Sequence, residues 1–162
     1  MIDQPSEDAI RILIVEDSAT QLAYLRFLLE EGGYSVVAAT NGEEGLAAAR
    51  DSQIALVISD IVMPRMSGHE LCRALRADPG LQHLPVILLT SLTDPRDVIL
   101  GLESGANNFI CKPYDDQALL ARVENVLANQ ELRKESSSAE GIDIVFAGTE
   151  YLVTADRRQI LD

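Results

Sequence analysis

The feature that most restricts how this chain can fold is a fivefold alternation of short apolar runs with stretches of helical periodicity. Residues 10–15 form an almost continuous apolar run broken only by Arg11, the pattern of a strand buried on both faces. From Ser18, apolar residues recur at Leu22, Leu25, Leu28 and Leu29, and the Gly32-Gly33 pair then supplies the backbone freedom that ends a helix. Residues 36–39 are strand-like, 43–50 helix-like and 54–59 strand-like, and Ser67 with Glu70 three residues on predicts a capping box opening a third helix. Residues 85–90 read as a fourth strand, Asp94-Pro95 starts a fourth helix that Gly105 ends, and residues 108–112 read as a short fifth strand. A fifth helix is expected from near Asp115 to Lys134. Strands separated by helices at this spacing need crossover connections, so the expected fold is α/β: a doubly wound, five-stranded parallel sheet with helices on both faces.

The organisation expected around that unit is a flexible leader over 1–9, the main domain over 10–134, a Ser- and Glu-containing linker over 135–141, and a small element over 142–162. In the last, Ile142, Ile144 and Phe146 alternate, Gly148 offers a turn, and Tyr151 and Val153 alternate again, which predicts a β-hairpin. Thr154 can cap the first turns of a helix, too short to stand by itself, so the chain reads as a piece of a longer protein. A lone hairpin is marginal. Its apolar residues are expected to bury against a second copy of the chain, giving a homodimer, or almost equally against the chain's own main domain.

Doubly wound sheets carry their chemistry at the carboxyl ends of the strands. Collecting polar residues there gives Glu16 and Asp17 after the first strand, Asp60 after the third, Thr90 after the fourth and Lys112 after the fifth. Each has an ordinary reading: an acidic pair at a helix start suits the helix dipole, Asp60 suits a turn, Thr90 a strand end and Lys112 a solvated surface. Five such residues at the matching strand ends point instead to one site. Crowded carboxylates repel unless a cation intervenes, and an all-oxygen set suits Mg²⁺ or Mn²⁺. A Lys and a Thr hydroxyl beside them would complete a cradle for a phosphoryl group on Asp60.

The formal net charge of -13 argues against a nucleic-acid partner and for protein partners. The apolar runs are too short to cross a bilayer and the acidic N-terminus lacks a basic leader, so a cytoplasmic location without membrane attachment is expected. Cys72 and Cys111 have no zinc or redox spacing and read as small core-type residues. His69 and His83 fall at no carboxyl strand end and read as surface or capping residues.

Taken together, Glu16-Asp17, Asp60 within ISDIVMPRMSGHE, Thr90-Ser91 and Lys112-Pro113 resemble the response-regulator receiver family of two-component signalling. The likeness spans roughly residues 10 to 130. It implies the flavodoxin-like strand order 2-1-3-4-5 and a regulatory phosphoacceptor rather than an enzyme, although the parent protein could be a hybrid kinase. By the same resemblance, Asp60 accepts a phosphoryl group from a cognate histidine kinase or phosphotransfer protein, while Glu16, Asp17, Asp60 and the Val62 backbone carbonyl hold the metal. Thr90, Ser91 and Lys112 would bind the phosphoryl and switch a surface for a downstream protein or fused output domain. Phe109 stands where the family often has a switching aromatic, and also reads as simple core. Val62 and Leu92 flank the phosphoryl in the family; being apolar here, they form a gate expected to prolong its lifetime. Met63-Pro64 and Gly68 match the family's loop after the acceptor, and Lys112-Pro113 resembles its cis linkage. Glu16 stands where Asp is commonest, and its longer arm is expected to reach the metal through water. Two rivals fit less well: a flavin-binding domain would repel its phosphate from Glu16-Asp17, and an aspartyl phosphohydrolase would carry D-x-D where this chain has Asp60-Ile61-Val62.

Overall fold

The structure, a computed structural model, describes residues 9–51, 53–91, 95–135, 141–146 and 149–154, with side chains to residue 130 apart from 95, 97 and 98. In chain order the elements are β1 (Arg11–Val15), α1 (Ala19–Glu31), β2 (Ser35–Ala39), α2 (Gly42–Asp51), β3 (Leu56–Asp60) and α3 (Gly68–Ala77). They continue with β4 (Val86–Thr90), α4 (Pro95–Ser104), β5 (Asn108–Cys111), α5 (Asp116–Glu135), β6 (Gly141–Phe146) and β7 (Thr149–Thr154). The five expected strands pair in parallel in the order β2-β1-β3-β4-β5, with Ile12 opposite Leu56, Ile58 opposite Ile87 and Thr90 opposite Cys111.

Two apolar layers sandwich this sheet, because successive strand residues point to opposite faces. Leu13, Val15, Val57, Val86, Leu88 and Phe109 pack towards α2 and α3, meeting Ala49, Leu71, Cys72 and Leu75. Ile12, Ile14, Leu56, Ile58, Ile87, Leu89 and Ile110 pack towards α1 and α5, meeting Leu25, Leu28, Leu29, Leu119, Val123 and Val126. The apolar residues of β1, β3 and β4 are almost wholly buried, which is why those strands read as unbroken apolar runs. Truncating one of them, for instance Ile58→Ala, should cost ~2–5 kcal/mol.

The local signals act as read. Ser18 caps α1 by accepting from the Gln21 N–H, and Ser67 and Glu70 form the reciprocal capping box of α3. Of the glycine pair after α1, only Gly33 takes the left-handed conformation, at φ 94°, while Gly32 keeps helical geometry. Gly105 at φ 98° ends α4. Arg76 of α3 fastens the loops flanking β4 and β5: its guanidinium donates to the carbonyls of Gly105, Gln82 and Leu84 and to Asn107 Oδ1.

Beyond the five strands, the tail forms the expected hairpin, and its backbone joins the chain's own sheet. β6 runs parallel to β5, with Asn108 opposite Asp143 and Ile110 opposite Val145, and β7 returns antiparallel. The sheet therefore has seven strands. The side chains expected to cover the hairpin's apolar face, from Ile142 to Val153, lie outside the described residues, as do leader residues 1–8, linker residues 136–140 and the helix expected after Thr154. Among the described residues, no helix is long and apolar enough to cross a membrane. His69 departs from the sequence reading: it is half-buried and faces α4 beside Gly101 rather than lying on the surface, because the first turn of α3 packs against α4. His83 is exposed, and its carbonyl accepts from Gln130. Cys72 is fully buried, which pushes its thiol pKa up, whereas Cys111 is only half-buried at the end of β5.

Candidate functional site

The carboxyl ends of β1, β3, β4 and β5 meet at one edge of the sheet, and the residues that follow them converge. Glu16 leaves β1 with its N–H donating to the Ala39 carbonyl, so the sheet itself fixes its backbone. Its side chain is 2% exposed and its Oε2 accepts from the Ser18 N–H, the residue that caps α1. Asp60 closes β3, one residue further along the strand than the sequence pattern suggests, and its Oδ1 accepts from the Ile61 N–H at 2.8 Å. Gly68 is required just behind it, since a Cβ there would run into the Asp60 backbone carbonyl. Lys112 follows β5, and its N–H donates to the Thr90 carbonyl at 2.7 Å. The Lys112-Pro113 bond is cis.

Lys112 draws the cluster together. Its Nζ donates to Glu16 Oε1 at 3.1 Å, to Asp60 Oδ2 at 3.1 Å and to Gln21 Oε1 at 2.6 Å. Glu16, Asp17 and Asp60 each present an oxygen, all within 4.8 Å of one another. Burial is the main influence on Glu16 and raises its pKa; Asp60 pushes in the same direction, and the Ser18 N–H and Lys112 oppose them. Three carboxylates facing a single ammonium leave an excess of negative charge in a partly dehydrated corner, and all their donor atoms are hard oxygens. That donor set fits a divalent cation such as Mg²⁺ or Mn²⁺.

Thr90 is buried at the end of β4 and Ser91 is exposed just beyond it. Val62 stands 64% exposed two residues after Asp60, while Leu92 lies outside the described residues. The structure does not bring Phe109 into the polar cluster: it is 1% exposed in the core layer with α2 and α3, its ring beside Gly101 of α4. Sequence reasoning missed Gln21, which sits in the first turn of α1 and reaches Lys112 across 91 residues of chain. It missed as well the bond one turn later from the Tyr24 hydroxyl to the Asp116 carboxylate at the start of α5.

Residues 12–124 match the response regulator receiver domain family. The chain belongs to that family. This receiver is 39% identical over 135 residues to the DNA-binding response regulator MtrA of Mycobacterium leprae, an alignment covering 83% of this chain and 59% of that protein. It is 37% identical over 139 residues to the response regulator PleD of Caulobacter vibrioides, covering 83% of this chain and 31% of that one. Among solved structures, the receiver domain of a signal transduction histidine kinase from Syntrophus aciditrophicus superposes with a TM-score of 0.71 at 47% identity. That match covers 75% of this chain and 92% of the other. The receiver thus spans less than two thirds of these curated relatives. Family membership favours the receiver over the flavin-binding and phosphohydrolase readings.

Proposed function

We propose that this receiver is switched by phosphorylation of Asp60. The observation that carries the reading is the bond from the Lys112 ammonium to Asp60 Oδ2 in a cluster that also holds the Glu16 and Asp17 carboxylates. An Asp60 carboxylate oxygen attacks the phosphorus of a phosphohistidine on a histidine kinase or phosphotransfer protein. The new P–O bond forms as the P–N bond breaks, and the imidazole leaves with the electron pair. Glu16, Asp17 and Asp60, with the Val62 carbonyl, would hold Mg²⁺ or Mn²⁺, which supplies charge neutralisation at the transferring oxygens. Lys112 pairs with the phosphoryl, and the Thr90 and Ser91 hydroxyls lie on the strand end from which they can donate to it. Phe109 would then act from within the core, through its contact with α4.

The receiver is a regulatory element in this reading, and its self-catalysed phosphotransfer and hydrolysis serve that role. Its upstream partner is a kinase that makes its phosphodonor from ATP, which places the pair in the cytoplasm. Its downstream partner is a protein or a fused output domain. MtrA's name marks that protein as DNA-binding, but this chain, at net charge -13, is suited to protein surfaces. Intact mass after incubation with Mg²⁺ and acetyl phosphate tests the assignment. The wild type should gain one phosphoryl group only when Mg²⁺ is present; equal labelling of Asp60→Asn would refute it.

A further inference from the structure

We propose that Gln21 is a positioning residue for Lys112, holding the ammonium over the acceptor without neutralising its charge. The inference rests on Asp60 being the phosphoacceptor.

An ammonium has three protons and accepts no hydrogen bond, so the atom that Gln21 presents to it must be the amide oxygen. The three protons of Lys112 go to Glu16, Asp60 and Gln21, and the Gln21 contact, at 2.6 Å, is the shortest of them. The three partners differ in what else they must do. Glu16 and Asp60 are the carboxylates suited to a divalent cation, and their oxygens are shared with it when it is bound. Asp60 also changes character on phosphorylation. Gln21 stands outside that carboxylate group and is not drawn away by either event. It is a neutral acceptor as well: a carboxylate at position 21 would hold Lys112 equally firmly but cancel the charge that an incoming phosphoryl group needs.

Position supports the assignment. Gln21 lies in the first turn of α1, whose start is fixed to the same site, since Ser18 both caps the helix and donates to Glu16. One turn on, Tyr24 bonds to Asp116 at the start of α5. One face of α1 therefore grips both ends of the loop that carries Lys112, and a rigid helix rather than a loop supports the Gln21 acceptor.

The test uses the full chain with Gln21→Met, similar in length but without the acceptor, and Gln21→Glu, which keeps an acceptor and adds charge. Gln21 is exposed, so neither change threatens the core. In metal-free protein with ¹³C- and ¹⁵N-labelled lysine, the Lys112 Cε and Nζ resonances should move in Gln21→Met. With Mg²⁺ and acetyl phosphate, phosphorylation should slow about fivefold in Gln21→Met, and at least as much in Gln21→Glu. In a Lys112→Met background, Gln21→Met should have no further effect. An unmoved Lys112 resonance, the same loss in the Lys112→Met background, or a Gln21→Glu variant as fast as wild type would overturn the proposal. A wild type that takes up no phosphoryl group would instead refute the Asp60 assignment, and the resonance measurement would still decide whether Gln21 holds Lys112.

Discussion

Replacing Glu16 with Gln should stabilise the metal-free protein and remove most of the stabilisation that Mg²⁺ confers. Glu16 lies within 4.8 Å of the Asp17 and Asp60 oxygens and 3.1 Å from Lys112 Nζ. At an effective dielectric of about 20, the Asp60 repulsion costs about 3.5 kcal/mol and the Lys112 attraction returns about 5 kcal/mol, while exposed Asp17 adds a repulsion screened by solvent. Burial, the largest influence on Glu16, then makes its charged form unfavourable in the folded state. A glutamine keeps one oxygen, so it can accept from Lys112 or from the Ser18 N–H but not from both, which offsets part of the gain from removing the charge. In EDTA at neutral pH the variant should melt about 3–6 °C above the wild type, followed by far-UV circular dichroism. Millimolar Mg²⁺ should then raise the wild type and leave the variant nearly unmoved. The pH dependence has a defined sign. Burial raises the Glu16 pKa above its ordinary 4.5, so the folded state holds that proton more tightly than the unfolded chain. The stability Glu16 contributes is full below pH 4.5 and is lost as pH rises through the folded pKa, so the gap between variant and wild type should open over that window. A variant that is less stable than wild type in EDTA at neutral pH, or a gap of the same size below pH 4.5, would refute this account.

Three further outcomes are expected. Gly101→Ala places a Cβ into the Phe109 ring, so it should cost ~1–3 kcal/mol in urea unfolding, and Phe109→Leu should recover much of that loss. Val62 presents an apolar, 64% exposed side chain beside Asp60, so Val62→Asn should hasten loss of the phosphoryl group; an unchanged lifetime in a phosphate-release assay would remove Val62 from the gate. Because β6 pairs with β5 of the same chain, deleting residues 136–162 should leave the oligomeric state in solution unchanged in both phosphorylation states; a fall from dimer to monomer would give the hairpin a role in self-association.

Much of this fold was legible because parallel strands buried on both faces leave few polar residues to confuse the pattern: β1, β3 and β4 stand out as runs, and Ser67 with Glu70 marks the start of α3 outright. Periodicity does not specify neighbours, however. Alternation in residues 142–153 predicts two strands, yet nothing in it states that β6 will lengthen the parallel sheet beside β5 rather than face a second copy. Strand ends blur for a related reason: Asp60 is polar and looks like a turn, but its pairing opposite Leu89 keeps it in β3. The carboxylates and Lys112 were legible because each closes or follows a strand. Gln21 was not, because it sits inside a helix, five residues after Glu16, where a glutamine is ordinary. The half-burial of His69 was not legible, because it depends on how closely α3 and α4 approach and not on a local pattern.

The same geometry indicates how an event at Asp60 would leave the site. Lys112 is bonded through its backbone to Thr90 and through its ammonium to α1, so a phosphoryl group that recruits the ammonium acts on β4, β5 and α1 together. β5 contributes side chains to both layers by alternation. Phe109 enters the layer it shares with α2 and α3 and touches α4 at Gly101, whereas Ile110 enters the layer of α1 and α5. Both layers are close-packed, and close-packed layers shift between discrete arrangements more readily than they deform smoothly. A Cβ at Gly101 would run into the Phe109 ring, so the ring lies directly against the α4 backbone. α4 also carries Ile99 and Leu100, both 44% exposed. A partner that reads the phosphorylated state there would be sensing the position of a helix, with the charge on Asp60 as its cause rather than its contact.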